Sequence, residues 1–293
     1  MKRPLIAVDW GTSSLRLALL DGQGQAVEER SSTQGILAVQ SGEFAAVLAR
    51  ACSGWPSGAL TLICGMAGSK QGWMEAPYAA CPAGFDDIAD QLLWVVPASV
   101  AIVPGLSCEH HGVPDVMRGE ETQVFGALEA LALDSALLVL PGTHSKWVRA
   151  TGRRIEGFST FMTGETYALL AQHSILARTM PAGDAPFDEQ AFCAGLEHTF
   201  TCGNLLQAAF SARTLSLFER LPSHLMPSYL SGIVIGEELR ACPAAGTEPV
   251  VIVGNDALAL RYSVALQWLG NTTRSPGPQA AWRGLAAIAR TLH

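Results

Sequence analysis

No stretch of this 293-residue chain approaches 18 uninterrupted apolar residues, so no membrane-spanning helix and no membrane partner are expected. Charged residues are scarce, at 15%, and a basic excess is missing: 19 Lys and Arg stand against 26 Asp and Glu, a formal net charge of -7. Without an electrostatic footprint for phosphate backbones, nucleic acid is excluded as a partner. The seven cysteines contain no C-x-x-C pair. An odd count at irregular spacing excludes a disulfide framework and a zinc site, and predicts reduced thiols and a cytoplasmic location. His110-His111 has no third ligand at useful spacing. Also absent are the G-x-x-x-x-G-K-[ST] phosphate loop and the G-x-S-x-G nucleophile elbow. Met1-Lys2-Arg3 resembles the start of a leader, but Asp9 ends the apolar run too soon for one. What is abundant is apolar residue, 49% of the chain, enough for a sizeable core in one large domain or two.

Two small, hydroxyl-rich turns stand out. Asp9-Trp10-Gly11-Thr12-Ser13-Ser14 follows the apolar run Leu5–Val8, and Pro141-Gly142-Thr143-His144-Ser145-Lys146 follows Leu137–Leu140. Such turns expose N–H groups and hydroxyls with little bulk, which suits a polyphosphate, although the same residues also make ordinary turns. Asp9, closing its strand, is placed to hold Mg²⁺ directly or through water.

The pattern predicts strands over 4–9, 14–20 and 26–33, with Gly22-Gln23-Gly24 as a hairpin turn, then a helix over 43–52. Strands follow over 60–64 and 100–103, and an amphipathic helix over 119–132 with Val124, Phe125, Leu128, Leu131 and Ala132 on one face. The strand at 137–140 restarts the opening logic. Helices are expected over about 165–178, 188–199, 203–219 and 228–240, then a strand over 250–253, a helix over 256–269 and a last helix. Two mixed α/β lobes follow, 1–118 and 119–293, with the helix 279–291 packing back on the first. Each lobe carries one phosphate loop, and the lobes are expected to close over the ligands.

The paired turns resemble the phosphate loops of the actin/Hsp70/hexokinase superfamily. Further segments narrow the likeness: Gly65-Met66-Ala67-Gly68-Ser69 with Gly72-Trp73 and Ala76-Pro77-Tyr78, Pro104-Gly105-Leu106, Met117-Arg118-Gly119-Glu120-Glu121-Thr122-Gln123, Pro141-Gly142-Thr143-His144-Ser145-Lys146-Trp147-Val148, Met162-Thr163-Gly164-Glu165, and Ser231-Gly232 with Ile235-Gly236. In this order they resemble the 2-dehydro-3-deoxygalactonokinase family, sugar-acid kinases. At Val253-Gly254-Asn255-Asp256 the chain departs from a smaller, uncharged turn more usual in the family.

The resemblance implies an α/β, two-lobed ribonuclease-H-like (actin-like ATPase) fold with an interdomain cleft. It implies ATP-dependent phosphorylation of the 6-hydroxyl of 2-dehydro-3-deoxy-D-galactonate in galactonate catabolism, with ATP and Mg²⁺ as cofactors and a sugar acid as partner. Another sugar acid, or phosphohydrolysis as elsewhere in the superfamily, is the alternative; a homodimer is open. Glu120 or Glu121 is the candidate general base, with a helix-dipole role as the competing reading. Asp9 is the candidate metal ligand. Gly11, Thr12, Ser13, Gly142, Thr143, His144, Lys146 and Gly254 are expected around the nucleotide. Ser69, Gly72, Trp73, Arg118, Thr163 and Glu165 are expected around the sugar acid, with Arg118 forking its carboxylate or serving a structural ion pair.

Overall fold

The computed structural model describes residues 3–242 and 248–292. The chain falls into two compact units: Met1–Ala136 with Val148–Phe158 and Ser275–His293, and Leu137–Trp147 with Ser159–Arg274.

The first unit opens with β1 (Leu5–Trp10), β2 (Leu15–Leu20) and β3 (Ala26–Ser32), then α1 (Phe44–Ala51) and β4 (Leu60–Cys64). Short elements follow: β5 (Tyr78–Ala80), α2 (Phe85–Asp90), β6 (Leu93–Val96), β7 (Val100–Ile102), β8 (Gly105–His110) and β9 (Val113–Met117), and then α3 (Glu120–Leu131). A six-stranded sheet has the order β3-β2-β1-β4-β7-β6, and β5-β8-β9 form a small separate sheet. β1 pairs antiparallel with β2 and parallel with β4. The parallel pairing brings Asp9 level with Cys64, so two strand ends and the loops that follow them emerge together. The hairpin turn at Asp21 is closed by its carboxylate, which accepts from Gln23 N–H and Gln25 N–H.

The second sheet repeats the plan. β10 (Ala136–Leu140), β11 (Ser145–Thr151) and β12 (Arg154–Phe161) precede β13 (Val250–Ile252) and β14 (Thr273–Arg274), in the order β12-β11-β10-β13-β14. Between them run α4 (Thr163–His173), α5 (Glu189–Cys202), α6 (Leu205–Leu217) and α7 (Met226–Ala241), and α8 (Asp256–Trp268) joins β13 to β14. Asp188, Asn204 and Asn255 cap α5, α6 and α8 with side-chain oxygens. α9 (Ala280–Thr291) closes the chain. In the first sheet antiparallel β1, β2 and β3 are followed by parallel β4 and β7, and in the second β10, β13 and β14 run parallel in the corresponding places, the two-fold repeated ribonuclease-H-like plan of actin-like ATPases.

Three expectations need correction. α3 is not one-sidedly apolar: Glu121, Thr122 and Val124 to Leu128 are all buried, while Leu131 is half-buried and Ala132 exposed. The reason is α9. At Gly126 an added Cβ would lie 1.7 Å from Ala280 O, and at Gly284 it would lie 1.8 Å from Thr122 O. The two helices therefore cross backbone to backbone, covering what would otherwise be the solvent side of α3. The unit boundary consequently falls after Ala136 rather than at 118, with α3 inside the first unit and α9 beside it. The predicted helix over 165–178 is also two pieces, α4 and a short 3-10 turn at Ile175–Thr179, because Ser174 leaves the helix and caps that turn through its hydroxyl.

Because no rotamer of an alanine can avoid that clash, Gly126→Ala should cost at least the upper part of the about 1–3 kcal/mol typical of overpacking. Thermal unfolding followed by circular dichroism checks this, and a melting temperature equal to wild type would refute the close crossing.

Candidate active site

Asp9, the penultimate residue of β1, has its carboxylate paired to Arg16 on the neighbouring strand, and its side chain is 15% exposed. Gly65, the first residue after β4, lies against it: a Cβ there would be 2.9 Å from Trp10 O and 3.3 Å from Asp9 Oδ1. Gly119, just ahead of α3, in turn lies on Gly65, where its Cβ would be 3.0 Å from Gly65 Cα. Both glycines have positive φ, +87° and +105°, so a side chain is barred by space and by backbone conformation alike. These contacts bring the end of β1, the loop after β4 and the start of α3 to one place, joining three segments that are far apart in sequence. Gly11, Thr12 and Ser13 form an open turn beside them, with Thr12 and Ser13 exposed and Gly11 N–H donating to Ser14 O.

Glu120 and Glu121 separate clearly. Glu121 has no exposed surface; its Oε2 accepts Gly119 N–H at 2.6 Å, and its Oε1 has no partner among the described residues. Burial first, then the Glu120 charge, pushes its carboxyl up to about 8, against the hydrogen bond from Gly119 and the charge of Arg118. Glu120 is half-buried, with Oε2 accepting Arg118 N–H at 3.0 Å. A buried acid and an accessible carboxylate thus sit side by side at one helix start.

Arg118 is 9% exposed. One nitrogen, Nη2, donates to Ala76 O at 2.8 Å, and the guanidinium lies 4.2 Å from the Tyr78 ring centroid. Nε and Nη1 have no hydrogen-bond partner among the described residues. No carboxylate is paired with it in the described part of the chain, which leaves the structural ion pair without support. Ser69 lies on the same loop, half-buried, its hydroxyl donating to Met66 O. Gly72 is packed on Ala67 O, where a Cβ would come to 2.4 Å. Trp73 is turned into the core, stacked on Phe44 and edge-on to Trp10. Gly72 and Trp73 therefore shape the loop.

In the second unit, Gly142, Thr143 and His144 follow β10, with Thr143 and His144 exposed. The start of α4 presses on this turn: a Cβ on Gly164 would lie 2.4 Å from Gly142 O, and Glu165 N–H donates to Thr143 O at 3.0 Å. His144 Nε2 and Glu165 Oε2 are 2.6 Å apart. Gly254 lies beside Pro141, ahead of the Asn255 cap. Lys146 is only 5% exposed and donates to Thr160 Oγ1. Thr163 donates its hydroxyl to Glu238, a buried residue of α7. Thr163 and Glu165, expected around the sugar acid, are thus committed around the second turn. Glu238 is not among the residues that the motifs single out: it is one of two adjacent glutamates in α7, and only its burial sets it apart from Glu237. No group of three His, Cys, Asp or Glu capable of caging a metal occurs among the described residues, and no described helix is long and apolar enough to cross a membrane.

The Glu121 proton has a measurable consequence. In the unfolded chain the group titrates near the ordinary glutamate value of about 4.3. The folded protein keeps a proton that the unfolded chain releases, so stability falls as pH rises from there to about 8. Glu121→Gln removes the titration. Its melting temperature relative to wild type should rise between about pH 5 and about pH 8, and an offset that does not change with pH would contradict a buried, protonated Glu121.

A sequence profile described as 2-keto-3-deoxy-galactonokinase matches residues 9–288. The chain is 39% identical over 299 residues to the probable 2-dehydro-3-deoxygalactonokinase of Rhizobium meliloti (strain 1021), covering 98% of this chain and 96% of that one. It is 37% identical over 291 residues to the 2-dehydro-3-deoxygalactonokinase of Escherichia coli (strain K12), covering 98% of both. A crystal structure from Sinorhizobium meliloti, assigned to the same kinases, superimposes with a TM-score of 0.87 at 36% identity, covering 98% of this chain and 96% of that one. With segments from Asp9 to Gly236 assembled as described, the chain belongs to the 2-keto-3-deoxy-galactonokinase family.

Proposed function

We propose that this kinase moves the γ-phosphoryl group of ATP to the 6-hydroxyl of 2-dehydro-3-deoxy-D-galactonate, in the breakdown of galactonate. The observation that carries the acceptor class is Arg118, a buried cation with two unpartnered nitrogens beside the 65–78 loop. Leaving such donors unsatisfied is costly, and a substrate carboxylate supplies the missing acceptor in the bidentate form that guanidinium favours. Ser69 adds a hydroxyl from the same loop. An acidic protein of net charge -7 gains little from long-range attraction of an anion, so this local cation is what selects a sugar acid.

Glu120 is the general base. It alone of the two glutamates has surface to offer a substrate. As O6 attacks phosphorus, its proton passes to the Glu120 carboxylate, the bond from the γ-phosphorus to the bridging oxygen breaks, and ADP departs. Glu121 stays protonated behind it and holds the Gly119 N–H, fixing the turn from which Glu120 projects. In the first unit the open turn at Gly11–Ser13 is a phosphate-holding loop, and in the second unit the turn at Gly142–His144, with Gly254 nearby, is another. Lys146 contributes a buried positive charge from behind the second turn. Thr163 and Glu165 shape that turn rather than the sugar pocket.

Asp9 fits Mg²⁺: it is an oxygen donor at a strand end, partly exposed, and Mg²⁺ is commonly held by one or two carboxylates together with substrate phosphates. When bound, the ion neutralises phosphate charge. Arg16 keeps the carboxylate oriented. The reactants place the enzyme in the cytoplasm, and free thiols at Cys52, Cys64, Cys81, Cys108, Cys193 and Cys202 agree with a reducing compartment.

A coupled ADP-release assay across sugar acids tests the reaction. Turnover with 2-dehydro-3-deoxy-D-galactonate, and a 6-phosphate product by mass spectrometry, is expected. Preference for another sugar acid, or ADP release without acceptor, would overturn the assignment. Glu120→Gln should lower kcat by about 10²–10⁴-fold with the fold intact. Should that variant keep more than about a tenth of the activity, Glu120 is not the base.

A further inference from the structure

Glu238 has no part in the chemistry above, yet its carboxyl accepts four side-chain hydrogen bonds, from Ser145, Trp147, Thr163 and Tyr262. It lies on α7 among Ile235, Leu239 and other buried apolar residues and is 2% exposed. Its Oε1 accepts Ser145 Oγ–H at 2.8 Å and Trp147 Nε1–H at 2.6 Å. Its Oε2 accepts Tyr262 Oη–H at 2.7 Å and the Thr163 hydroxyl. No Lys, Arg or His forms an ion pair with it among the described residues. Burial raises the carboxyl above its ordinary range, with four hydrogen bonds opposing. A core carboxyl without a counter-cation is an expensive way to fill space, and a leucine would pack there without that cost.

The identity of the donors gives the reason. Ser145 and Trp147 are the first and third residues of β11, immediately after the Gly142–His144 turn, and Thr163 is the first residue of α4. The turn lies between these two attachments, with Gly164 packed on Gly142 O and Glu165 N–H bonded to Thr143 O. Gly142, Thr163, Gly164 and Tyr262 also line a small cavity of about 40 Å³, shared with Ser231 and Ile235 of α7. One carboxyl group thus anchors the strand leaving the turn, the helix pressed on the turn, and one wall of the adjoining cavity.

We infer that Glu238 is a positioning residue for the nucleotide: by holding Ser145 and Thr163 together it keeps the Gly142–His144 turn in the shape that receives phosphates. The inference rests on reading that turn as a phosphate loop. It assigns Glu238 no contact with ATP and no effect on the sugar-acid loop of the first unit.

Three variants test it: Glu238→Ala, Glu238→Gln and Thr163→Val. ATP binding without acceptor and sugar-acid binding without nucleotide are measured separately by calorimetry, alongside melting temperatures. Glu238→Ala should weaken ATP binding about tenfold or more, the equivalent of losing one or two net hydrogen bonds. Glu238→Gln should stay within about threefold of wild type, since its carbonyl still accepts from Ser145 and Trp147 while its amide donates to the rotatable hydroxyls of Thr163 and Tyr262. Thr163→Val, which leaves the carboxyl in place, should fall between them. Sugar-acid affinity should remain unchanged in all three. A merely structural role would lower both affinities together, in step with melting temperature. That result, or wild-type ATP binding by folded Glu238→Ala and Thr163→Val, overturns the inference. Wild-type protein that binds ATP but phosphorylates no sugar acid would defeat the proposed reaction instead, leaving the ATP affinity ratios to judge Glu238.

Discussion

Two glycine backbones touch where any side chain would hold them apart, and the first unit's chemistry depends on that contact. Gly65 follows β4 and Gly119 precedes α3. Pressed together beside Asp9, they convert sheet register into site geometry. The parallel pairing of β1 with β4 sets Asp9 level with Cys64, and the glycine contact then adds the start of α3. Arg118, Glu120 and Glu121 arrive as neighbours of Asp9 because the backbone has no alternative route. Even the burial of Glu121 follows: its carboxyl lies under the turn and takes up the Gly119 N–H. Cys64 and Thr122 complete the wall, and the Cys64 thiol is pushed well above its ordinary range by burial and then by the Asp9 charge.

The second unit meets the same need with polar groups. Its five strands match five of the six in the first sheet in order, and its loop again follows the first strand. Here a glycine, Gly164, lets a helix approach the loop, and the Glu238 carboxyl bonds the strand and helix that flank it. The loop of the first unit is ordered by steric exclusion and that of the second by hydrogen bonds. Hydrogen bonds between neutral hydroxyls and a buried carboxyl tolerate small adjustments of donor direction; a backbone contact does not.

Much of this was legible in the sequence because the signals were local. The apolar runs Leu5–Val8, Leu60–Cys64 and Leu137–Leu140 all became strands, and the hydroxyl-rich or glycine-punctuated segments after them became loops and short turns. Fold and family followed from those motifs. What escaped was decided by tertiary contact. β8 and β9 carry Cys108, His110 and Pro114 in place of a clean alternation, and β12 is interrupted by Gly157. The unit boundary was misplaced because nothing in residues 119–132 announces the closeness of α9, which depends on Gly126 meeting Ala280 and Gly284 meeting Thr122. Glu120 and Glu121 were indistinguishable as neighbouring acids; only burial separated them. Trp73 and Thr163 were expected around the sugar acid through the family resemblance; the fold stacks one on Phe44 and bonds the other to Glu238.

The central claim is that Arg118 and Glu120 address opposite ends of one substrate. A crystal structure with bound 2-dehydro-3-deoxy-D-galactonate tests it most directly. The account predicts the substrate carboxylate on Nε and Nη1 of Arg118, and the 6-hydroxyl within hydrogen-bond reach of Glu120, about 2.6–3.2 Å. A carboxylate bound elsewhere, with Arg118 still unpartnered and Glu120 facing no hydroxyl, would contradict it.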